Sequence, residues 1–390
     1  MRWETRAIAC HAGTVAGKTS TDIRIPPALL PADGRFGAGP SKIRPEALAA
    51  LSRASELGTS HRADPVRNLV GRLRSGLTEL FGLPAGWEVA LGNGGSVLFW
   101  DAATFGVIER RSQHLSFGEF STRFAATVAA APHLETPEVI EAPPGALPSA
   151  KGAPGLDTYA LTQNETSTGV MAPLVRPRGS DRDALVLVDA TSAAGGIPFE
   201  PSEVDAYYFA PQKCFASDGG LWVALLSPAA LSRIERIRAS ARWIPASLNL
   251  GDALEQSRRN QTVNTPAVAT LFLFVHQLEW LLAGGGMHFA AARCRASSGH
   301  LYAWAERAPF AQPFVARPEE RSTVVGTVDF DPAVDAAAVC AALRANGIVD
   351  TEPYRKLGRN QMRVGMYPAV DPADVEALTA CVDYVVEALG

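Results

Sequence analysis

The run ALVLVD at positions 184–189 constrains the fold more than any other stretch of this chain. Five consecutive apolar residues of strand length leave no polar face, so such a strand must be covered on both sides. That is the condition of a central strand in a parallel sheet. The run ends in Asp189, and α/β folds place ligands at the C-terminal edge of their strands.

The surrounding pattern agrees. Helical periodicity marks 46–57 and 68–81, and β-rich runs bounded by turn residues mark 88–91, 206–209 and 220–226. Strands alternating with helices predict an α/β architecture with a mostly parallel sheet covered on both faces. A long apolar helix at 266–282 leads into Gly284-Gly285-Gly286, and a second helix follows at 287–307. The remainder reads as a compact α+β unit, with strands at 324–330, 347–350 and 361–365 and helices at 333–345 and 371–389. A boundary near 283 therefore divides a large domain (23–283) from a small C-terminal domain (284–390). Residues 23–45 are crowded with Pro and Gly and predict an extended arm belonging to the large domain. Residues 1–22 are polar and predict a disordered extension.

Composition narrows the function classes. Hydrophobic residues make up 47% and charged residues 19%, as in an ordinary globular chain. A net charge of −4 gives no electrostatic case for nucleic acid or an anionic membrane surface. The apolar stretch 266–283 is interrupted by His276, Gln277 and Glu279, so no membrane span is expected. Five scattered cysteines without a CxxC pattern predict a reduced, cytoplasmic chain with no disulfide framework and no metal site. Lysine is scarce, five residues against 31 arginines, which shortens the list of candidates for amine chemistry.

Four features carry chemistry. Lys213, in YYFAPQKCFASDGG, lies between two β-rich runs, where a buried amine becomes a nucleophile for carbonyls; the alternative is a surface lysine on a loop tip. Asp189 at its strand end can hold a pyridinium proton, bind a metal, cap a helix or sit in a turn. The turn Gly92-Asn93-Gly94-Gly95-Ser96, between a strand and a helical run, can cradle a phosphate with its amides; it can equally be a tight turn with a Ser cap. Arg363 within a C-terminal strand, with Arg359 nearby and the pair His61 and Arg62 far upstream, fits either anion recognition or structural ion pairs.

Taken together, the segments GRFGAGPSKIRPEAL, GTSHR, GNGGS, NETSTGV, DATSAAGG, YYFAPQKCFASDGGLW, NQTVNTPA and NGIVDTEPYRKLGRNQMRV resemble the class V branch of the fold-type I aminotransferases. Within it they are similar to the phosphoserine aminotransferase family in its actinobacterial form, over about residues 25–389. The resemblance implies a large domain built on a mostly parallel seven-stranded sheet plus a smaller α+β domain. It implies pyridoxal 5'-phosphate as cofactor, and glutamate and 3-phosphohydroxypyruvate as substrates in serine biosynthesis. Family members also act on a phosphohydroxythreonine intermediate of pyridoxine biosynthesis.

By position, the resemblance makes Lys213 the residue of the internal aldimine and Asp189 the partner of the pyridine nitrogen. Gly95, Ser96 and Gln212 match the phosphate site, Thr166 the contact to the ring oxygen, and Phe120 the aromatic stacked on the ring. Asn264 and Thr265 match a loop that reaches the phosphate of a partner subunit, so a homodimer is implied. Arg363 matches the clamp for the substrate α-carboxylate. His61 and Arg62 match the receiver of the distal anion, with Arg359 adding to that pocket. Two departures stand out: Ser96 where many members carry an arginine, and Cys214 where asparagine is usual. Competing readings are an alanine–glyoxylate or serine–pyruvate transaminase, a cysteine desulfurase, and a non-catalytic pyridoxal-binding protein. The anion-binding SHR and GRNQMR segments weigh against the first, the helical setting of Cys340 and Cys381 against the second, and Lys213 against the third.

Overall fold

In a computed structural model, the structure describes residues 20–390; the expectation for the extension concerns residues that lie, up to 19, outside them. Ser20–Asp22 form one 3-10 turn set against the helix Ala336–Ala345.

The centre of the molecule is a seven-stranded sheet. In chain order its strands are β1 (Glu88–Asn93), β2 (Ser112–Ser116), β3 (Glu138–Glu141) and β4 (Thr158–Thr162). A short hairpin of β5 (Asn164–Glu165) and β6 (Val170–Met171) intervenes before β7 (Leu185–Asp189), β8 (Ala206–Phe209) and β9 (Leu221–Leu226). The spatial order is β1-β9-β8-β7-β4-β2-β3. Only β9 runs against its neighbours; the other four pairings are parallel. The central run is buried along its whole length as β7, which explains its lack of a polar face.

Helices cover both faces. On one side lie α1 (Pro45–Leu51) and α2 (Asp64–Leu80), and on the other α3 (Ser96–Gly106), α4 (Glu119–Ala129), α5 (Pro228–Arg238) and α6 (Leu250–Arg258). The helix α7 (Val268–Gly284) packs on α2 and α1. It ends at Gly285, whose φ of 118° closes the helix in a conformation open to glycine. This turn separates α7 from α8 (Gly286–Arg307).

A second hydrophobic core gathers α8, β10 (Ala311–Pro313), β11 (Val325–Phe330), α9 (Ala336–Ala345), β12 (Gln361–Gly365) and α10 (Pro372–Leu389). The strands order as β10-β11-β12, all antiparallel. The arm reaches both cores: Ile23, Ile25 and Phe36 are buried in this one, and Ala38 in that of the large sheet. The strand expected at 347–350 is only a single bridge, Val349 to Arg35 of the arm. Among the described residues, no single helix is long and apolar enough to cross a membrane.

Candidate active site

The C-terminal edge of the sheet opens into a cavity of about 330 Å³. Seven residues singled out in the sequence line it: Gly95, Ser96, Phe120, Thr166, Asp189, Gln212 and Lys213. A larger cavity of about 560 Å³ lies elsewhere, beside Leu147, Ile197 and Phe199. There the basic side chain, Arg317, is already matched by Glu319 and Glu320, and no lysine is present. Chemistry rather than size selects the smaller cavity.

Lys213 follows β8 and is 8% exposed. Its Nζ donates to the Ala38 carbonyl at 2.6 Å. Burial, with the Arg363 guanidinium as the next cause, lowers its pKa to about 8. An amine in that range is partly neutral near neutral pH and able to act as nucleophile or base. Gly39 makes the approach possible, because a Cβ there would overlap Nζ; its φ of 140° also suits glycine alone.

Asp189 ends β7 with its carboxylate held by four donors. Trp100 Nε1 and the Tyr208 hydroxyl each donate to Oδ2 at 3.0 Å, and the Thr191 amide donates to Oδ1 at 2.9 Å. The Thr191 hydroxyl lies 2.5 Å from Oδ1 and 2.7 Å from Ser96 Oγ. Having one proton, it donates to the carboxylate and accepts from Ser96. The carboxylate is thereby fixed in place while facing the cavity.

The phosphate-type cradle is the start of α3. Gly95 is the N-cap, has no side chain to satisfy the first-turn amides, and has open space where a Cβ would be. Those amides and the positive helix end point at an anion site. Ser96 and Gln212 flank it, and Gln212 Oε1 is buried without a partner.

Thr166 extends from the β5 hairpin. Its hydroxyl donates to Ser192 Oγ at 2.9 Å, and Asn164 Nδ2 donates to the same atom at 2.8 Å, leaving Asn164 Oδ1 unsatisfied. Phe120 sits in the first turn of α4. Between them lies Glu165, fully buried, whose carboxylate accepts from the amides of Phe120 (3.1 Å) and Ser121 (2.9 Å) and from the Ser167 hydroxyl (2.8 Å). Burial pushes Glu165 above the usual carboxylate range. It caps α4 from outside the helix, replacing the side-chain cap that Gly118 cannot give.

Arg363 lies in β12. Its guanidinium donates to the Thr166 carbonyl at 3.2 Å and stacks 5.3 Å from the Tyr354 ring, while Nε is buried without a partner. No carboxylate among the described residues neutralises it, and burial lowers its pKa. A partly buried cation with unused donors is a site for an anion. Arg359 differs: it is exposed, ion-paired with Asp329 and stacked 4.4 Å from Phe314. Its charge is spent on that pair, and it is not among the residues lining the cavity.

The remaining predicted residues form a separate group on the surface of this chain. His61 Nδ1 lies 3.2 Å from Thr265 Oγ1, and the Thr265 carbonyl accepts from Asn93 Nδ2 at 2.8 Å. Arg62 donates to Gln256 at 2.9 Å and to Gln261. Asn264 and Thr265 are exposed. None of the four lines the chain's own cavity. Cys214 is a packed residue, fully buried, its thiol 3.5 Å from the Ser192 carbonyl and pushed well above its usual pKa by burial.

Sequence reasoning passed over Trp100, Tyr208, Thr191, Ser192 and Glu165. Thr191 and Ser192 could have been found, since they directly follow Asp189 in DATS. Trp100 and Tyr208 carry no signal of their own, being aromatic residues in apolar runs.

Residues 150–378 match the family model described as aminotransferase class V. A phosphoserine aminotransferase of a Nocardioides species is 61% identical over 370 residues, covering 94% of this chain and 99% of that protein. Among solved structures, a phosphoserine aminotransferase from Cytophaga hutchinsonii superposes with a TM-score of 0.83 at 22% identity, covering 90% of this chain and 99% of that one. A pyridoxal-phosphate-bound phosphoserine aminotransferase from Trichomonas vaginalis gives 0.77 at 19% identity, with 90% and 99% coverage. The structures share the fold, a fold-type I α/β architecture, and the close sequence relative carries the family. The chain belongs to the class V aminotransferases, within the phosphoserine aminotransferase family.

Proposed function

We propose that this chain is a pyridoxal-phosphate-dependent phosphoserine transaminase. It moves an amino group reversibly from L-glutamate to 3-phosphohydroxypyruvate, giving 2-oxoglutarate and O-phospho-L-serine, as a step of serine biosynthesis. The observation that carries the reading is Lys213: a buried amine with a lowered pKa, sharing one cavity with the strand-end carboxylate Asp189 and an uncapped helix start.

The residues present fit the cofactor. Unsatisfied Gln212 Oε1 and Asn164 Oδ1, the open α3 amides beside Gly95 and Ser96, and the fixed acceptor Asp189 form a donor and acceptor set for a phosphorylated pyridine. Phe120 would cover the ring and Thr166 would meet its oxygen. When bound, pyridoxal phosphate supplies a ring that accepts electrons from the substrate α-carbon.

The chain's own groups do the rest. Arg363 takes the substrate α-carboxylate with its free donors. Lys213, partly neutral, removes the α-proton and returns it, acting as base and then acid. Asp189, its carboxylate fixed by Trp100, Tyr208 and Thr191, would accept from the pyridine nitrogen of a bound cofactor and so hold that proton in place. Arg62, Asn264 and Thr265 are exposed and His61, half-buried, meets Thr265, a grouping that fits service to the cavity of a second copy in a homodimer. There they would meet the cofactor phosphate and the distal anion that both substrates carry.

In the test, Lys213→Ala is loaded with pyridoxal phosphate and assayed with glutamate and 3-phosphohydroxypyruvate. Expected are no lysine-bound cofactor absorbance and no turnover. A variant that transaminates at a rate comparable to the parent chain contradicts the reading.

A further inference from the structure

The Ala38 carbonyl has two donors. Lys213 Nζ reaches it at 2.6 Å and the Tyr367 hydroxyl reaches the same oxygen at 2.7 Å. A carbonyl oxygen has two lone pairs, so this one is fully occupied. Tyr367 is completely buried, and Ala38 is its hydroxyl's hydrogen-bond partner. Burial raises the Tyr367 pKa well above the usual tyrosine range, so the hydroxyl stays protonated and can only donate here.

The arm that carries Ala38 is held on both sides. Phe36 O accepts from the Gly365 amide of β12 at 2.7 Å. On the other side, Ser41 Oγ donates to the Lys213 carbonyl at 2.6 Å and the Ser41 amide to Gln212 O at 2.8 Å. Tyr367 follows β12 and stands four residues after Arg363. The proposed carboxylate clamp, the arm and the amine are thus joined through one backbone oxygen.

We propose that Tyr367 is a positioning residue for the Lys213 amine, acting by sharing the Ala38 carbonyl and so limiting how tightly that oxygen holds the amine. The proposal rests on the reading of Lys213 as the cofactor-bearing lysine and adds a residue to it. The physical reason is that an ammonium is a stronger donor than a neutral amine, so a carbonyl left to the lysine alone favours the charged form. A hydroxyl proton on the same oxygen opposes this. The other groups facing Lys213 are Arg363 from β12, Asp189 from β7, Glu165 from β5 and neighbouring Cys214. Tyr367→Phe leaves all of them in place and leaves the Ala38 carbonyl with its lysine donor.

The experiment follows covalent uptake of pyridoxal 5'-phosphate by the full chain stripped of cofactor, read by absorbance as a function of pH. In uptake the neutral amine condenses with the aldehyde, a C=N bond forms and one water leaves. With Y367F, the midpoint of the rate–pH profile moves up by about half a unit and uptake at neutral pH slows about threefold, with full uptake retained at high pH. An unmoved or lowered midpoint overturns the proposal, including the case where only thermal stability falls. Lys213→Ala, run alongside, separates the two claims. If that variant still takes up cofactor covalently, the reading of Lys213 has failed, whatever Tyr367 does.

Discussion

At the scale of single residues, the site is defined by buried charges: Lys213, Asp189 with its four donors, and Arg363, whose Nε has no partner. Burial, with the Arg363 guanidinium as the next cause, lowers the Lys213 pKa from 10.5 to about 8. The unfolded chain therefore binds a proton between about pH 8 and 10.5 that the folded, cofactor-free chain has released. Stability of the cofactor-free protein should rise with pH through that window. Below it the folded lysine is charged, and the cost of burying that charge is fully present, on the order of 3 kcal/mol. Lys213→Met should consequently unfold at a higher temperature than the parent chain at pH 7, with the gap closing above pH 10. Melting curves across that range check the sign; a destabilised methionine variant at neutral pH would refute it. Arg62 makes a second prediction. Its partners here are the Gln256 and Gln261 amides, so the guanidinium keeps its full charge for a distal anion. Arg62→Ala should lower kcat/KM for glutamate and phosphoserine on the order of tenfold or more while sparing alanine.

At the scale of elements, two helix starts do different work. The start of α3 is left open for an anion. The start of α4 is closed by Glu165, which reaches it from β5 and thereby fixes Phe120 beside the cavity. Glu165→Ala removes a buried carboxylate serving both a helix cap and Ser167, and should cost about 2–4 kcal/mol in urea denaturation. Because Phe120 loses its anchor, cofactor affinity should fall as well, which equilibrium titration would read. Glu165→Gln retains an oxygen for the α4 amides and should lie between. The elements were unequally legible from sequence. The strands β7, β8 and β9 announce themselves by continuous apolar runs, because both faces are covered. β2, with the sequence SQHLS, is just as buried but reads as polar: His114 meets Ser112, and Gln113 meets Glu138 and Lys151. Those partners are distant in sequence or invisible to periodicity. The expected strand at 347–350 has the right composition, but its neighbour is the irregular arm, which offers one bridge and no ladder.

At the scale of the whole molecule, the arm matters most. It begins in the C-terminal core through Ile23, Ile25 and Phe36, and it ends against Lys213 through Ala38, Gly39 and Ser41. Phe36→Ala empties a fully buried site in the C-terminal core and should cost about 3–5 kcal/mol. The change leaves the Phe36 carbonyl that pairs with Gly365 in place but removes the ring that anchors the arm in the core, so cofactor uptake should slow; an unchanged uptake rate would separate the arm from the active site. Sequence gave no hint of this link, because it runs through backbone carbonyls, and those have no residue signature. Neither Asp189 nor Lys213 stands out by residue type alone; their order and spacing with the Gly-rich turn single them out, and both line the same cavity.

The central claim is that the cavity accepts substrates with an anion at each end. It is tested most directly by adding amino donors singly to the cofactor-loaded protein and following conversion of the cofactor by absorbance. Phosphoserine and glutamate should each complete the half-reaction, with kcat/KM at least a hundredfold above serine and alanine, on the order of what one buried charge-assisted anion contact contributes. Serine or alanine reacting as efficiently as phosphoserine would contradict the account.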